Sequence, residues 1–440
     1  MKQYFHDLAA FIETRLEGSE QYKCWFAAEE SDFVRFNHSL IRQSGHVRQI
    51  YLSLSLIDGL RHANSSISLA GNLDSDCALL GHFVSQLRAQ LPDLPEDPHL
   101  MVAPDVRSTV HAVPSLLPAA GKIVDDVIGA AQGLDLVGFL AAGPIYRGFA
   151  NSFGQRNWHE TASFNLDWSL YHSRDKAVKT TYSGYDWDST GFRVRFERAR
   201  EQLALLQREP VSIKPGAYRA YLTPTALYEI FSILNWGGLS EKSLRTRQSS
   251  LRSMRDEGVR FNPAVTLSEN IAEGLSPGFQ SDGFIKPERL VLLENGRLAG
   301  SMISPRTAKE YDIQTNGADS SEVLTSLDLA GGELQLSRVL EELGTGVFVS
   351  NLWYLNYSDQ AAARLTGMTR FATFWVQDGK IQAPVSTMRF DDSAYSLLGS
   401  ALEDLTRERE LILSTSTYSE RQTASSQLPG ALISRLTLTL

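Results

Sequence analysis

Thiols and imidazoles are scarce in this 440-residue chain, and they are unevenly spread. The two cysteines, Cys24 and Cys77, are too few for a disulfide framework or a cysteine-rich metal site. All nine histidines lie at or before His172, so residues 173–440 hold neither histidine nor cysteine. Zinc takes about four ligands from Cys, His and carboxylates, and a catalytic zinc site usually includes an imidazole. The C-terminal half therefore cannot build an ordinary zinc site by itself.

Other absences narrow the function further. No apolar run approaches the roughly 18 residues that a membrane-spanning helix needs. The opening MKQYFHDLAAFIETRLEG is amphipathic and contains acids, unlike a signal peptide, so a cytoplasmic location is expected. A net charge of −9 gives no general excess of Lys and Arg for phosphate, so no nucleic-acid or membrane partner is expected. The one basic stretch, Lys242 to Arg260, interleaves Arg245, Arg247, Arg252 and Arg255 with Glu241, Asp256 and Glu257, and reads as a solvated face. Neither GxGxxG nor GxxxxGK[ST] occurs, and there is no G-x-S-x-G elbow. The string His159-Glu160-Thr161-Ala162-Ser163 would need a second histidine where Ser163 stands. Phe164, Leu166, Trp168 and Leu170 alternate after it, which predicts a strand instead.

What is present is the pattern of a globular α+β protein, 42% hydrophobic and 21% charged. Leu8, Phe11, Ile12 and Leu16 fall at helical spacing. Strands are predicted over Gln21–Ala28, Asp32–Asn37, His46–Leu56 and Leu60–Leu69, an antiparallel set by its short connections. Leu73, Cys77, Leu80, Val84, Leu87 and Leu91 stripe a covering helix, which makes Cys77 an inert packed thiol. A second helix near Gly121–Ala131, strands near Leu134–Ala142, Ile145–Asn151 and Ala162–His172, and a helix striped by Phe192, Phe196, Ala199, Leu203 and Leu206 complete the first half. The proline-bearing EPVSIKPG at Glu209–Gly216 marks a boundary between an N-terminal domain, 1–209, and a β-rich C-terminal domain, 217–440.

The second half is organised around hairpins. Phe348–Tyr357 and Thr369–Val376 are β-rich, and the latter turns back at Asp378-Gly379. Arg289–Pro305 repeats the arrangement with Asn295-Gly296 at the turn. A strand over Ala217–Leu222 precedes a helix over Pro224–Trp236, with Thr223 as N-cap, Pro224 at the first helical position and Gly237-Gly238 after the end. Its outer face carries Tyr228, Glu229, Ser232, Asn235, Ile233 and Trp236, so either a neighbouring loop or a partner subunit covers it. A final helix and strands over Leu411–Ser416 and Ala431–Leu440 are predicted to close the chain.

Several strings in order, SDGFIKPERLVLLENGRLAGSMISPRTAKEY (281–311), LEELGTGVFVSNLWYLNYSD (340–359) and LTGMTRFATFWVQDGKIQAPVSTMRFDDS (365–393), resemble the TldD/PmbA or "modulator of DNA gyrase" family, on its PmbA/TldE branch. RFNHSLIRQSGHVRQIYLSLSLIDGLRHA (35–63) resembles that family's opening sheet. The resemblance implies a two-domain α+β subunit that pairs with a second subunit. It implies a TldD-type partner whose His-Glu-x-x-x-His helix and late cysteine bind zinc, the pair cutting unfolded or leader peptides in a shared cavity. On this chain Tyr228-Glu229 stands where His-Glu would be and Ile233 where the second histidine would be. Glu229 is thus a remnant without a metal-bound water to activate, and no cofactor is expected in this chain.

The expectation is a PmbA/TldE-like, non-catalytic subunit. Asn351, Trp353, Tyr354, Asn356, Thr366 and Arg370 would offer hydrogen bonds and stacking surface to an extended peptide. A stand-alone homodimeric peptide-binding or scaffold protein is the alternative. Gyrase modulation finds no physical support in an acidic chain without a nucleic-acid motif.

Overall fold

The computed structural model describes residues 1–173 and 176–439. Strand-forming sequence condenses into two sheets. The first has seven strands in the order Arg61–Leu69, Leu40–Asp58, Gln21–Asn37, Asp135–Asn151, Arg156–Ser173 and Val110–Ala112, with Lys176–Gly184 also paired to Arg156–Ser173. All neighbours are antiparallel except Val110–Ala112, which runs parallel to Arg156–Ser173. The runs predicted as Gln21–Ala28 and Asp32–Asn37 are one strand, and so are Leu134–Ala142 and Ile145–Asn151. Polar Glu29-Glu30-Ser31 and Gly143-Pro144 read as breaks, yet each stays extended because a neighbouring strand, Leu40–Asp58 for the first and Arg156–Ser173 for the second, supplies its ladder partners.

Helix Lys2–Glu13 buries Phe5, Leu8, Ala9 and Ile12 on this sheet, each contributing roughly 1.5–3 kcal/mol if large and fully withdrawn from water. Leu73–Gln90 packs beside it, capped by Asn72, whose side chain accepts from the Ser75 amide. Ile50, Leu52, Leu54 and Leu56 form the buried face of their strand, as the alternation requires.

The second sheet has eleven strands and runs from residue 216 to 438. Gly346–Asp359 pairs with Arg364–Gln377, which turns through Asp378-Gly379 into Lys380–Pro384. Arg289–Glu294 turns at Asn295-Gly296, where both residues have positive φ (48° and 74°), into a return strand of two residues, Arg297–Leu298. Strand Gly216–Leu222 feeds helix Pro224–Leu234, which begins at the Thr223 cap and stops before Gly237, φ 79°. The final helix is corrected: Leu402–Leu413 is a strand paired with Ser425–Leu438, preceded by one short helical turn at Ser396–Ser400. Pairing with the closing strand overrides the local preference of a Glu- and Arg-rich segment.

The halves share a core. Helix Ser189–Leu206 buries Phe192, Phe196, Ala199, Leu203 and Leu206 in a cluster that includes Leu136, Leu140 and Leu166 of the first sheet and Ala372 and Phe374 of the second. No helix among the described residues is long and apolar enough to cross a membrane.

Candidate functional site

Helix Pro224–Leu234 packs on the strands Gly346–Asp359 and Ser425–Leu438, with Leu227, Ile230, Phe231 and Leu234 in the core. Ile233 joins that core at 4% exposure, and its carbonyl accepts from the Tyr357 hydroxyl at 2.9 Å. Asn235 is tied to Leu324 in both directions, donating to its carbonyl at 3.0 Å and accepting from its amide at 2.8 Å. The outer face of the helix is thus partly covered by the chain's own segments, while Trp236 stays exposed.

Tyr228 and Glu229 are half-buried on the same helix. Burial raises the Tyr228 phenol, and the Glu229 carboxylate raises it further. Burial also raises Glu229, against the pull of the Lys179 ammonium on the first sheet. Lys179 is bonded to Asp167 at 2.8 Å. A zinc ion would find one carboxylate, a phenol held protonated and an isoleucine without a donor atom. These residues do not fit the metal.

The other predicted site residues divide into two groups. Asn351 and Thr366 are buried within the hairpin: Asn351 accepts from the Ser350 hydroxyl, and Thr366 donates to the Phe390 carbonyl at 2.9 Å while accepting from Arg389 Nε at 2.8 Å. Trp353, Tyr354, Asn356 and Arg370 lie at the surface, with Trp353 37% and Tyr354 77% exposed. The Arg370 guanidinium sits 5.3 Å above both the Trp353 and the Phe371 ring, and Trp353 meets Tyr354 and Phe371 edge-on at 5.5 and 6.4 Å. The Asn356 side-chain Oδ1 accepts from the Tyr357 amide at 2.8 Å, and Asn356 does not join the cluster.

Phe371 is the member that sequence reading missed. It shares an unusual backbone with Tyr354: φ is +61° at Phe371 and +53° at Tyr354. Bulky side chains rarely adopt that conformation, at a cost of roughly 1–3 kcal/mol each. The register slips between Val349 and Asn351 and again between Trp353 and Asn356, so bulges turn these rings out of the pleat. The spacing of apolar residues carries no signal of a bulge, which is why the pattern alone did not gather them.

His159 lies on a strand, as its alternation predicts. Its ring stacks on His111 with centroids 4.9 Å apart, and Nε2 donates to the Leu275 carbonyl at 3.0 Å, joining first sheet to second half. Burial, with His111 and Arg147 nearby, lowers it to about 4. Among the described residues no three His, Cys, Asp or Glu side chains gather as a metal cage. Cys24 is buried and its thiol pushed up to about 12, and burial also raises the half-buried Cys77, so both stay protonated.

With this geometry the chain was compared with known proteins. Residues 215–440 match the model of the PmbA/TldA metallopeptidase C-terminal domain. The chain belongs to the PmbA/TldD family. The metalloprotease PmbA of Escherichia coli O157:H7 is 29% identical over 127 residues, covering 28% of this chain and 26% of that protein. The matched stretch is thus about a quarter of the curated relative's length. TldE from Thermococcus kodakarensis superposes with a TM-score of 0.81 at 15% identity, over 99% of this chain and 100% of that one. A Thermotoga maritima protein described as a candidate modulator of a DNA gyrase gives 0.76 at 13% identity, over 99% of both chains. At these identities the structures establish a shared PmbA/TldD fold.

Proposed function

We propose that this chain is the non-catalytic, TldE-like subunit of a two-chain zinc peptidase acting on unfolded or leader peptides. In this reading a TldD-like partner holds the metal, and this chain supplies assembly surface and part of the peptide-cavity wall. Ile233 carries the proposal: by the resemblance it stands at the second metal-ligand position of the family helix, and it is buried in the core. The chain also has no imidazole or thiol beyond residue 172 to replace that ligand. Exposed Trp353, Tyr354 and Arg370, packed with half-buried Phe371, support a contact surface, since rigid aromatic rings and arginine carry much of the energy of protein recognition. Peptide extends naturally across such a hairpin.

The test is to purify the chain alone and with a TldD-like subunit, then to measure zinc content and cleavage of an unfolded peptide. Zinc and hydrolysis are expected only when both chains are present. Metal-dependent cleavage by the lone chain would overturn the assignment. A stable homodimer that binds peptide and ignores the second subunit would favour the scaffold alternative.

A further inference from the structure

The first sheet carries a basic cleft that the peptidase reading leaves without a role. The ribbon of Gln21–Asn37 and Leu40–Asp58 turns at His38-Ser39, both with positive φ (51° and 59°). Just before the turn the register slips, because Arg35 pairs with Gln43 while Phe36 pairs with Ile41. Arg42 is the inserted residue of this bulge, and a bulge re-aims the side chain it inserts. Arg35 and Arg42 line one cleft of about 520 Å³, together with Lys179 and with Thr415 and Thr417 from the connection between the last two strands. The one carboxylate among the described lining residues, Asp167, accepts from Lys179 at Oδ2, while its Oδ1 is buried without a hydrogen-bond partner. Arg35 and Arg42 are exposed and have no ion-pair or hydrogen-bond partner among the described residues.

We propose that this cleft binds the carboxylate side chains of an acidic peptide segment, so that the chain favours Asp- and Glu-rich stretches of the peptides it handles. The inference rests on the peptide reading above. Two guanidinium groups facing one cleft repel each other, and a carboxylate relieves that repulsion through paired N–H bonds that a planar fork makes well. A phosphate cradle would instead present unspent backbone N–H groups. Here the backbone behind the cleft is committed to the ladder, with Val137 opposite Ser169, Gly138 opposite Trp168 and Phe139 opposite Asp167. Half-buried Val137 and Phe139 also give the lining apolar surface, which suits the stem of a side chain better than a bare hydrated anion.

Fluorescence anisotropy on the full chain tests this with three probes: a labelled unstructured peptide rich in Glu and Asp, its Gln and Asn counterpart, and tripolyphosphate as competitor. The acidic peptide is expected to bind about tenfold more tightly than the neutral one, with the advantage fading as salt is added. In the double variant Arg35→Gln, Arg42→Gln the advantage should shrink to about twofold or less, and in Arg35→Lys, Arg42→Lys it should largely return. Both positions are exposed, and matching melting curves check that the variants fold. Equal binding of the two peptides overturns the inference while leaving the peptide reading intact. Full preference in the glutamine variant, or tripolyphosphate displacing the peptide at lower concentration than the acidic peptide itself, also overturns it. Failure of every peptide to bind overturns both readings for the lone chain.

Discussion

At the residue scale, two titrating side chains make opposite predictions. Glu229 is raised by burial, so the folded chain holds its proton to higher pH than the unfolded chain does. Its contribution to stability is therefore lost as pH rises from the ordinary carboxylate range through the folded pKa. Glu229→Gln is expected to raise the melting temperature at pH 8 and to have little effect at pH 4, as read by thermal unfolding. Under the proposed assignment the metal lies in the partner and Glu229 acts on no metal-bound water, so the same variant should leave cleavage by a two-chain assembly within about twofold of normal. His159 runs the other way. Between its ordinary 6.5 and about 4 the unfolded chain takes up a proton that the folded chain refuses. Stability is full at neutral pH and falls through that window, by on the order of 3 kcal/mol at most. Denaturant titrations at pH 7 and pH 4.5 should show this loss in the native chain and a smaller one in His159→Gln. Neither effect was legible in the sequence, where His159 was a motif fragment and Glu229 a remnant, because burial is set by segments far away in the chain.

At the scale of elements, the hairpin Gly346–Asp359 with Arg364–Gln377 was foreseen from its residues, but the reason its rings are exposed was not. Two bulges and two positive φ angles hold Trp353, Tyr354 and Phe371 outward around Arg370. Strain that persists in this way is kept where surrounding structure overrides it, commonly at a functional surface. Tyr354→Gly separates strain from contact. Relief of the unfavourable φ roughly offsets the extra freedom that glycine brings to the unfolded chain, so stability should hold within about 1 kcal/mol. Retention of an unfolded peptide, or of a TldD-like partner, should nevertheless fall several-fold in a pull-down. Unchanged retention would remove this hairpin from the recognition surface. The cap-and-stop chemistry of Pro224–Leu234 was read correctly for the opposite reason: Thr223, Pro224 and Gly237 act on their own backbone and need no distant partner.

At the scale of the molecule, the connection between Leu402–Leu413 and Ser425–Leu438 reaches back into the first sheet. Arg421 is buried there and donates to the Gly143 carbonyl at 3.0 Å and to the Ser163 carbonyl and hydroxyl at 2.9 and 2.7 Å, while its amide donates to Glu29 at 3.2 Å. Buried Arg147 donates to the Arg421 carbonyl at 3.0 Å and pairs with Glu420 at 3.3 Å. Burial pulls Arg421 down to about 10, yet it stays charged at neutral pH. Arg421→Ala would remove the guanidinium that donates to the Gly143 and Ser163 carbonyls and that faces the Glu29 charge, and should cost about 3–5 kcal/mol, seen as a lowered urea midpoint. The same variant should expose the segment around Tyr418 to limited proteolysis, because the segment loses its anchor. Unaltered stability and protease resistance would show that the two halves hold together through the shared core of Phe192, Phe374 and their neighbours and the His159–Leu275 bond without this anchor.

The sequence by itself determined the elements, the alternating faces, the turns, and the absence of imidazole and thiol from the half that resembles a peptidase. These follow from properties each residue has locally or from a simple inventory. Tertiary structure alone decided that Ile233 is sealed in the core, that bulges gather the rings around Arg370, and that Arg35 and Arg42 face one cleft. Register and burial depend on which strand lies alongside, and a partner that is hundreds of residues away leaves no periodic trace in the segment it meets.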